Sequence, residues 1–91
     1  MDNKCDAEIG SIKRGWHPCG RVAVIGSERL FDGKPSHALE FCARHTSKAF
    51  QTDSKHITIT RIVLYTAFQG ERAAVESAMP SDAALITEVV Q

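Results

Sequence analysis

The sequence lacks an excess of charge of either sign: eleven Lys plus Arg stand against eleven Asp plus Glu in 91 residues. That balance excludes a histone-like coat protein and an acidic mimic of DNA, which both work through a large net charge. No apolar run approaches the ~18 residues of a membrane span, and no charged-then-apolar leader opens the chain. A soluble cytoplasmic protein is the expectation. Also missing are a G-x-S-x-G elbow, a phosphate loop and a G-x-G-x-x-G fingerprint, because the glycines are scattered singly. Acidic residues come one at a time, so no paired-carboxylate site is indicated, and enzyme activity is not expected. There is no low-complexity tract and no repeat at a solenoid period.

What remains is ordinary globular composition, 43% hydrophobic and 24% charged, at a length suited to one domain over 1–91. A chain this short buries a thin core, and a metal, a disulfide or a partner often supplements it. Charge is mildly uneven. Residues 1–50 hold eight basic and six acidic side chains, and 51–91 hold three and five.

Three cysteines are present, Cys5, Cys19 and Cys42. An odd count without a secretion signal fits a disulfide framework poorly, since one thiol is left over. Cys42-Ala43-Arg44-His45 is a C-x-x-H pair, and on the first turn of a helix such positions share a face. With Cys19 and Cys5 added, the pattern is C-x13-C-x22-C-x2-H. Three soft thiolates and one imidazole make a closed structural shell suited to Zn2+. The competing reading treats the cysteines as core filler and His45 as a surface helix residue. Against it, all four groups sit in one half of the chain, and the second half has no cysteine. His17, in Trp16-His17-Pro18-Cys19-Gly20, could replace Cys5 as fourth ligand, although Pro18 constrains how it and Cys19 reach one ion. His37 and His56 have no ligand-like neighbours. Cys42 and His45 make a poor nucleophile–base pair, because i,i+3 neighbours on a helix seldom align for attack and no orienting Asn or Asp is marked.

The run Cys19-Gly20-Arg21-Val22-Ala23, followed by Phe41-Cys42-Ala43-Arg44-His45, resembles the C-G-x-x-A … C-x-x-H arrangement of small bacterial and phage zinc-binding proteins of treble-clef or zinc-ribbon-like type. The resemblance covers roughly residues 5–50. It implies a zinc knuckle at Cys19, a β-hairpin, and a helix whose first turn carries Cys42 and His45. Cys5 departs from it, since a knuckle partner usually sits only a few residues away. Such a scaffold hosts many unrelated functions.

Along the chain, 1–15 reads as an irregular arm, and Gly15 to Gly20 as a bend. Arg21 to Gly26 is a strand candidate, Phe31 to Ser36 a turn centred on Asp32-Gly33, and His37 to Phe41 pairs back as a hairpin. A helix is expected from about Ala43 to Gln51. After a polar break at 52–55, His56 to Tyr65 is the most β-prone segment, with Ile-Thr-Ile-Thr alternation. Glu71 to Met79 is helical by propensity, and Leu85 to Val90 reads as a final strand. A rival reading runs one long helix from Arg61 through Met79. The expected class is α+β, with a zinc-bound N-terminal hairpin and helix (5–50) followed by a β-α-β half (55–91).

The expected function is a zinc-stabilised, non-enzymatic module that binds a protein partner or a second copy of itself. One specific version is a small phage or mobile-element protein that inhibits or redirects a host protein by occupying its surface. The Thr/Ile-rich strand and the C-terminal strand would offer an edge for sheet addition. No membrane and no small-molecule substrate is indicated. The alternative is a nucleic-acid-binding zinc domain. There Lys13, Arg14, Arg21, Arg44 and Lys48 would grip phosphates while Trp16 stacks on a base.

Overall fold

A computed structural model describes residues 4–52, 54–80 and 82–87. Of the segments read above, positions 1–3 of the arm, Asp53 in the polar break, and Glu88, Val89 and Val90 of the final strand lie outside them. The described chain is mixed α+β, mostly strand, with one α-helix and two sheets. None of its helices is long and apolar enough to cross a membrane.

The small sheet is an antiparallel hairpin of β1 (Glu8–Ser11) and β2 (Gly15–Pro18), in the register Glu8↔Pro18 to Ser11↔Gly15. This corrects the expected irregular arm and bend. Ile12, Lys13 and Arg14 form a three-residue loop closed by Gly15 at φ +77°, a left-handed position that glycine takes without steric cost. The Arg14 amide donates to Ser11 Oγ at 3.1 Å. Gly10, at φ +136°, leaves no room for a Cβ against the Gly15 carbonyl, so the two strands meet closely only because it is glycine.

The larger sheet is built on β3 (Ile25–Phe31). On one side β3 pairs antiparallel with β4 (Lys34–Pro35) and β5 (Leu39–Phe41), and on the other with β6 (Ile57–Leu64). The β3–β4 turn carries positive φ at both Asp32 (49°) and Gly33 (79°), as a primed two-residue hairpin turn demands. β7 (Ala84–Thr87) pairs parallel with β6, and α1 (Arg72–Ala78) lies between them in sequence. Residues 57–79 are therefore strand, turn and helix, and the rival long helix is excluded. β6 is flanked by β3 along its length and by β7 only along Arg61–Leu64. Pairing of β3 with β6 also joins the two expected halves in one sheet.

The β3–β6 register slips between Glu28 and Arg29, where Glu28 faces Arg61 and Arg29 faces Ile59. Thr60 is the extra residue, and its hydroxyl donates to the Glu28 carbonyl at 3.3 Å. Strict alternation from Ile57 and Ile59 would send Arg61 inward. The bulge resets the strand: Ile59, Ile62 and Leu64 are buried, while Arg61 turns out to Glu28 at 3.1 Å. Arg29, 8% exposed, shares the inner face with Ser27. Its Nε donates to Ser27 Oγ (3.0 Å) and its Nη2 to the Lys48 carbonyl (3.1 Å).

The chain after β5 does not form the expected α-helix over 43–51. His45, at φ −118° and ψ 19°, interrupts the helical path, and a short 3-10 helix, Thr46–Phe50, follows. Cys5, Ala7, Phe41, Cys42, Ala49, Ile62 and Val75 belong to one buried cluster. Two of the three cysteines thus sit in the core itself.

Candidate metal centre

Three pieces of chain converge at one end of the larger sheet. The first runs from Lys4 to Ala7 below β1, and the second from Cys19 to Val22 below β2. They continue the hairpin ladder: the Cys19 amide donates to the Ala7 carbonyl (2.7 Å), Gly20 to Cys5 (3.3 Å) and Cys5 to Arg21 (2.7 Å). Lys4 and Val22 close it as an antiparallel bridge. The thirteen residues that separate Cys5 from Cys19 in sequence are therefore the hairpin and its stem, and the two cysteines come together at its base. The third piece is Phe41 to His45, leaving β5.

Asp6 locks the first piece to β5. Its amide donates to the Glu40 carbonyl (2.7 Å), and its Oδ2 accepts the Glu40 amide (2.8 Å). The exchange sets Cys5 beside Cys42. The turn Cys42–His45 closes with the His45 amide donating to the Cys42 carbonyl at 3.0 Å.

The ligand atoms of Cys5, Cys19, Cys42 and His45 all lie within 4.8 Å of one another. Cys19 Sγ is 3.8 Å from Cys42 Sγ, and His45 Nδ1 is 3.3 Å from Cys42 Sγ and 3.5 Å from Cys5 Sγ. A tetrahedral zinc has bonds of about 2.3 Å to sulfur and about 2.0 Å to nitrogen. It would separate two sulfurs by about 3.8 Å and sulfur from nitrogen by about 3.5 Å. The spacing fits such an ion, and the donor set of three thiols and an imidazole is soft to borderline. These four residues can hold one metal ion.

Their electrostatics differ. Burial pushes the Cys5 thiol up, and the backbone amides of Ala7 and Cys42 oppose that shift. The Arg21 amide holds the Cys19 thiol below its usual range, with a smaller contribution from the Arg21 charge. In both cases the amide two residues on points at the sulfur, which stabilises a thiolate. Cys5 and Cys42 are 1% and 2% exposed, whereas Cys19 is half-buried.

His17 is not among the four; it is exposed on β2, where its Nδ1 donates to the Pro18 carbonyl at 3.1 Å. His56 bonds Asp32 on the surface at 2.8 Å. Of the basic and aromatic residues, Lys13, Arg14 and Trp16 share the hairpin, Arg21 lies two residues beyond Cys19, and Arg44 immediately precedes His45. Arg44 lies in the turn and Lys48 in the 3-10 helix, so they do not form the i,i+4 pair expected on one α-helix. Sequence reasoning missed the Asp6–Glu40 clamp, which carries no local signal. It also missed the hairpin, for which Ser11 and Gly15 bracketing three residues was an available clue.

Compared with known protein families, curated proteins and solved structures, the chain matches none.

Proposed function

We propose that this chain is a zinc-stabilised, non-enzymatic binding module acting through protein–protein contact, with the β1–β2 hairpin as its contact element. In this reading Cys5, Cys19, Cys42 and His45 hold Zn2+. A zinc-bound N-terminal part followed by a β-α-β tail belongs to the same proposal, with a turn in place of the helix expected under Cys42 and His45. The observation that carries it is the placement of the four ligands at the base of a hairpin whose far end leaves Ile12 and Trp16 open beside Lys13 and Arg14. Ile12 is 94% exposed and Trp16 61%. Exposed apolar side chains that gather on one element are where interaction sites are sought. Trp and Arg are also the residues that dominate binding energy at protein interfaces. Bound zinc would supply no chemistry beyond cross-linking: it would tie both hairpin legs to the end of β5 and fix the hairpin's direction.

A second reading, nucleic-acid binding, has its own support. Lys13, Arg14 and Trp16 share the hairpin, and among the described residues none of Lys13, Arg14 and Arg21 is paired with a carboxylate. Zero net charge disfavours it, because counterion release drives such binding.

The test compares the zinc-loaded chain with the Ile12→Ser/Trp16→Ala variant as baits for cross-linked partners. Equal zinc content in both baits isolates the hairpin. A protein retained by the first bait and lost by the second supports the proposal. A salt-sensitive, nuclease-sensitive partner favours the second reading, and identical capture by both baits counts against the hairpin altogether.

A further inference from the structure

The four ligands are not equally reachable. Cys5 and Cys42 lie inside the core cluster, whereas Cys19 packs against it and keeps part of its surface in water. An oxidant arriving from solvent therefore meets the Cys19 sulfur first. Its neighbour at 3.8 Å is the Cys42 sulfur, and a disulfide needs about 2.05 Å. The two must close by less than 2 Å, and the half-buried Cys19 has the freer side chain of the pair.

Resting on the zinc reading above, we infer that Cys19 is the peroxide-sensitive thiol of this centre and that its oxidation ends in a Cys19–Cys42 disulfide which expels the metal. The chemistry balances with hydrogen peroxide as oxidant. The Cys19 thiolate attacks one peroxide oxygen, the O–O bond breaks, and hydroxide leaves, giving a sulfenic acid. The Cys42 thiolate then attacks that sulfur and expels a second hydroxide. Two thiolates lose two electrons, the peroxide gains them, and two protons from solvent convert the hydroxides to water. Zinc, left with Cys5 and His45 alone, falls below the four ligands of a structural site.

The structural consequence is asymmetric. The new bond keeps the β2 leg of the hairpin tied to the end of β5, where the metal held it. The β1 leg loses its cross-link and keeps the Asp6–Glu40 hydrogen bonds. The hairpin stays attached by one covalent strap, and the Ile12 to Trp16 end it presents is no longer fixed in direction. Peroxide would thereby loosen the contact element without unfolding the sheet, whose β3–β6 pairing does not involve the cysteines.

The test treats the zinc-loaded chain with hydrogen peroxide, follows released zinc with a chromogenic chelator, and maps disulfides by peptide mass. The expected result is release of the metal in step with a loss of about 2 Da from the protein and a Cys19–Cys42 cross-linked peptide pair. Cys19→Ser should slow the release at least about tenfold relative to the parent chain. Should that variant fail to load zinc, the cross-link map of the parent chain decides alone. A disulfide that contains Cys5, Cys19 ending as sulfinic acid with no disulfide, or zinc retained under peroxide would each overturn the inference. Should the chain fold without zinc, the same treatment should give the same cross-link. If the protein proves to bind no zinc, the metal reading fails there while the pairing of Cys19 with Cys42 is still decided.

Discussion

Sγ of Cys5 lies 3.5 Å from Nδ1 of His45, forty residues further along the chain. The contact is made by neither residue's own element. Cys5 is carried there by the Asp6–Glu40 exchange, and His45 by the turn that leaves β5. The positioning of the ligands therefore predicts consequences for residues that never touch a metal.

Asp6→Ala removes the side-chain bond to the Glu40 amide and loosens the segment that aims Cys5. Groups that orient ligands from outside the coordination shell typically change metal affinity by about 10–100-fold. A zinc competition titration should show a weakening in that range with the thermal transition still cooperative. An affinity equal to the parent's would mean that the clamp does not position Cys5.

Gly10→Ala places a Cβ against the Gly15 carbonyl at a backbone angle that side chains rarely adopt. Strain of this kind costs about 1–3 kcal/mol, and it falls on the hairpin alone. Limited proteolysis should open the Ile12–Gly15 loop at least about fivefold faster, while zinc content stays the same. The converse pattern, zinc lost and the loop resistant, would place the hairpin's anchorage elsewhere.

Neighbours on β6 should differ sharply. Arg61 makes a half-exposed ion pair with Glu28, and truncation to alanine should cost within about 1 kcal/mol, as exposed pairs do. Ile62 is fully buried, and Ile62→Ala should cost about 2–5 kcal/mol from lost burial plus a cavity. Urea unfolding of the two variants checks the bulge that separates them. A large loss at Arg61 with a small one at Ile62 would mean the register runs the other way.

Zinc uptake should release protons. Burial keeps the Cys5 thiol protonated to higher pH than usual, while the Arg21 amide favours the Cys19 thiolate. Zinc binds thiolate, so near neutral pH the Cys5 proton is displaced, and apparent affinity climbs with pH. In the metal-free fold the sign reverses. A thiol raised above its ordinary 9.0 favours the folded state below that value, and this contribution is lost as pH climbs through the raised one. Calorimetry in buffers of different ionisation enthalpy should show at least about one proton released per zinc at pH 7. Uptake without proton release contradicts the assignment of Cys5.

Parts of this arrangement were legible in the sequence because they are local. Asp32-Gly33 supports only one kind of hairpin turn, Ile57 to Thr60 alternates as a half-buried strand does, and the four ligand candidates announce themselves by residue type. The hairpin was hinted at only by Ser11 and Gly15 around three residues, since its close strand approach depends on Gly10 meeting Gly15 across the ladder. The true span of β3 was not legible: it starts at Ile25, where a strand from Arg21 was expected, and runs on through Ser27, Glu28 and Arg29, residues of modest strand preference that pairing with β6 holds extended. The segment after Cys42 has helical propensity, yet His45 leaves the helical path and its ring faces Cys42 and Cys5. There tertiary placement overrode local preference.

The most direct test of the metal centre is native mass spectrometry of the untagged protein after expression with zinc, read for metal per chain, with Cys42→Ser alongside. The account predicts one zinc per chain in the parent and none in the variant. Structural zinc in small domains contributes about 10–16 kcal/mol of apparent binding energy, so the variant should also be molten and poorly soluble. A metal-free parent, or a Cys42→Ser protein that folds unchanged, would contradict it and return the three cysteines to the role of core side chains.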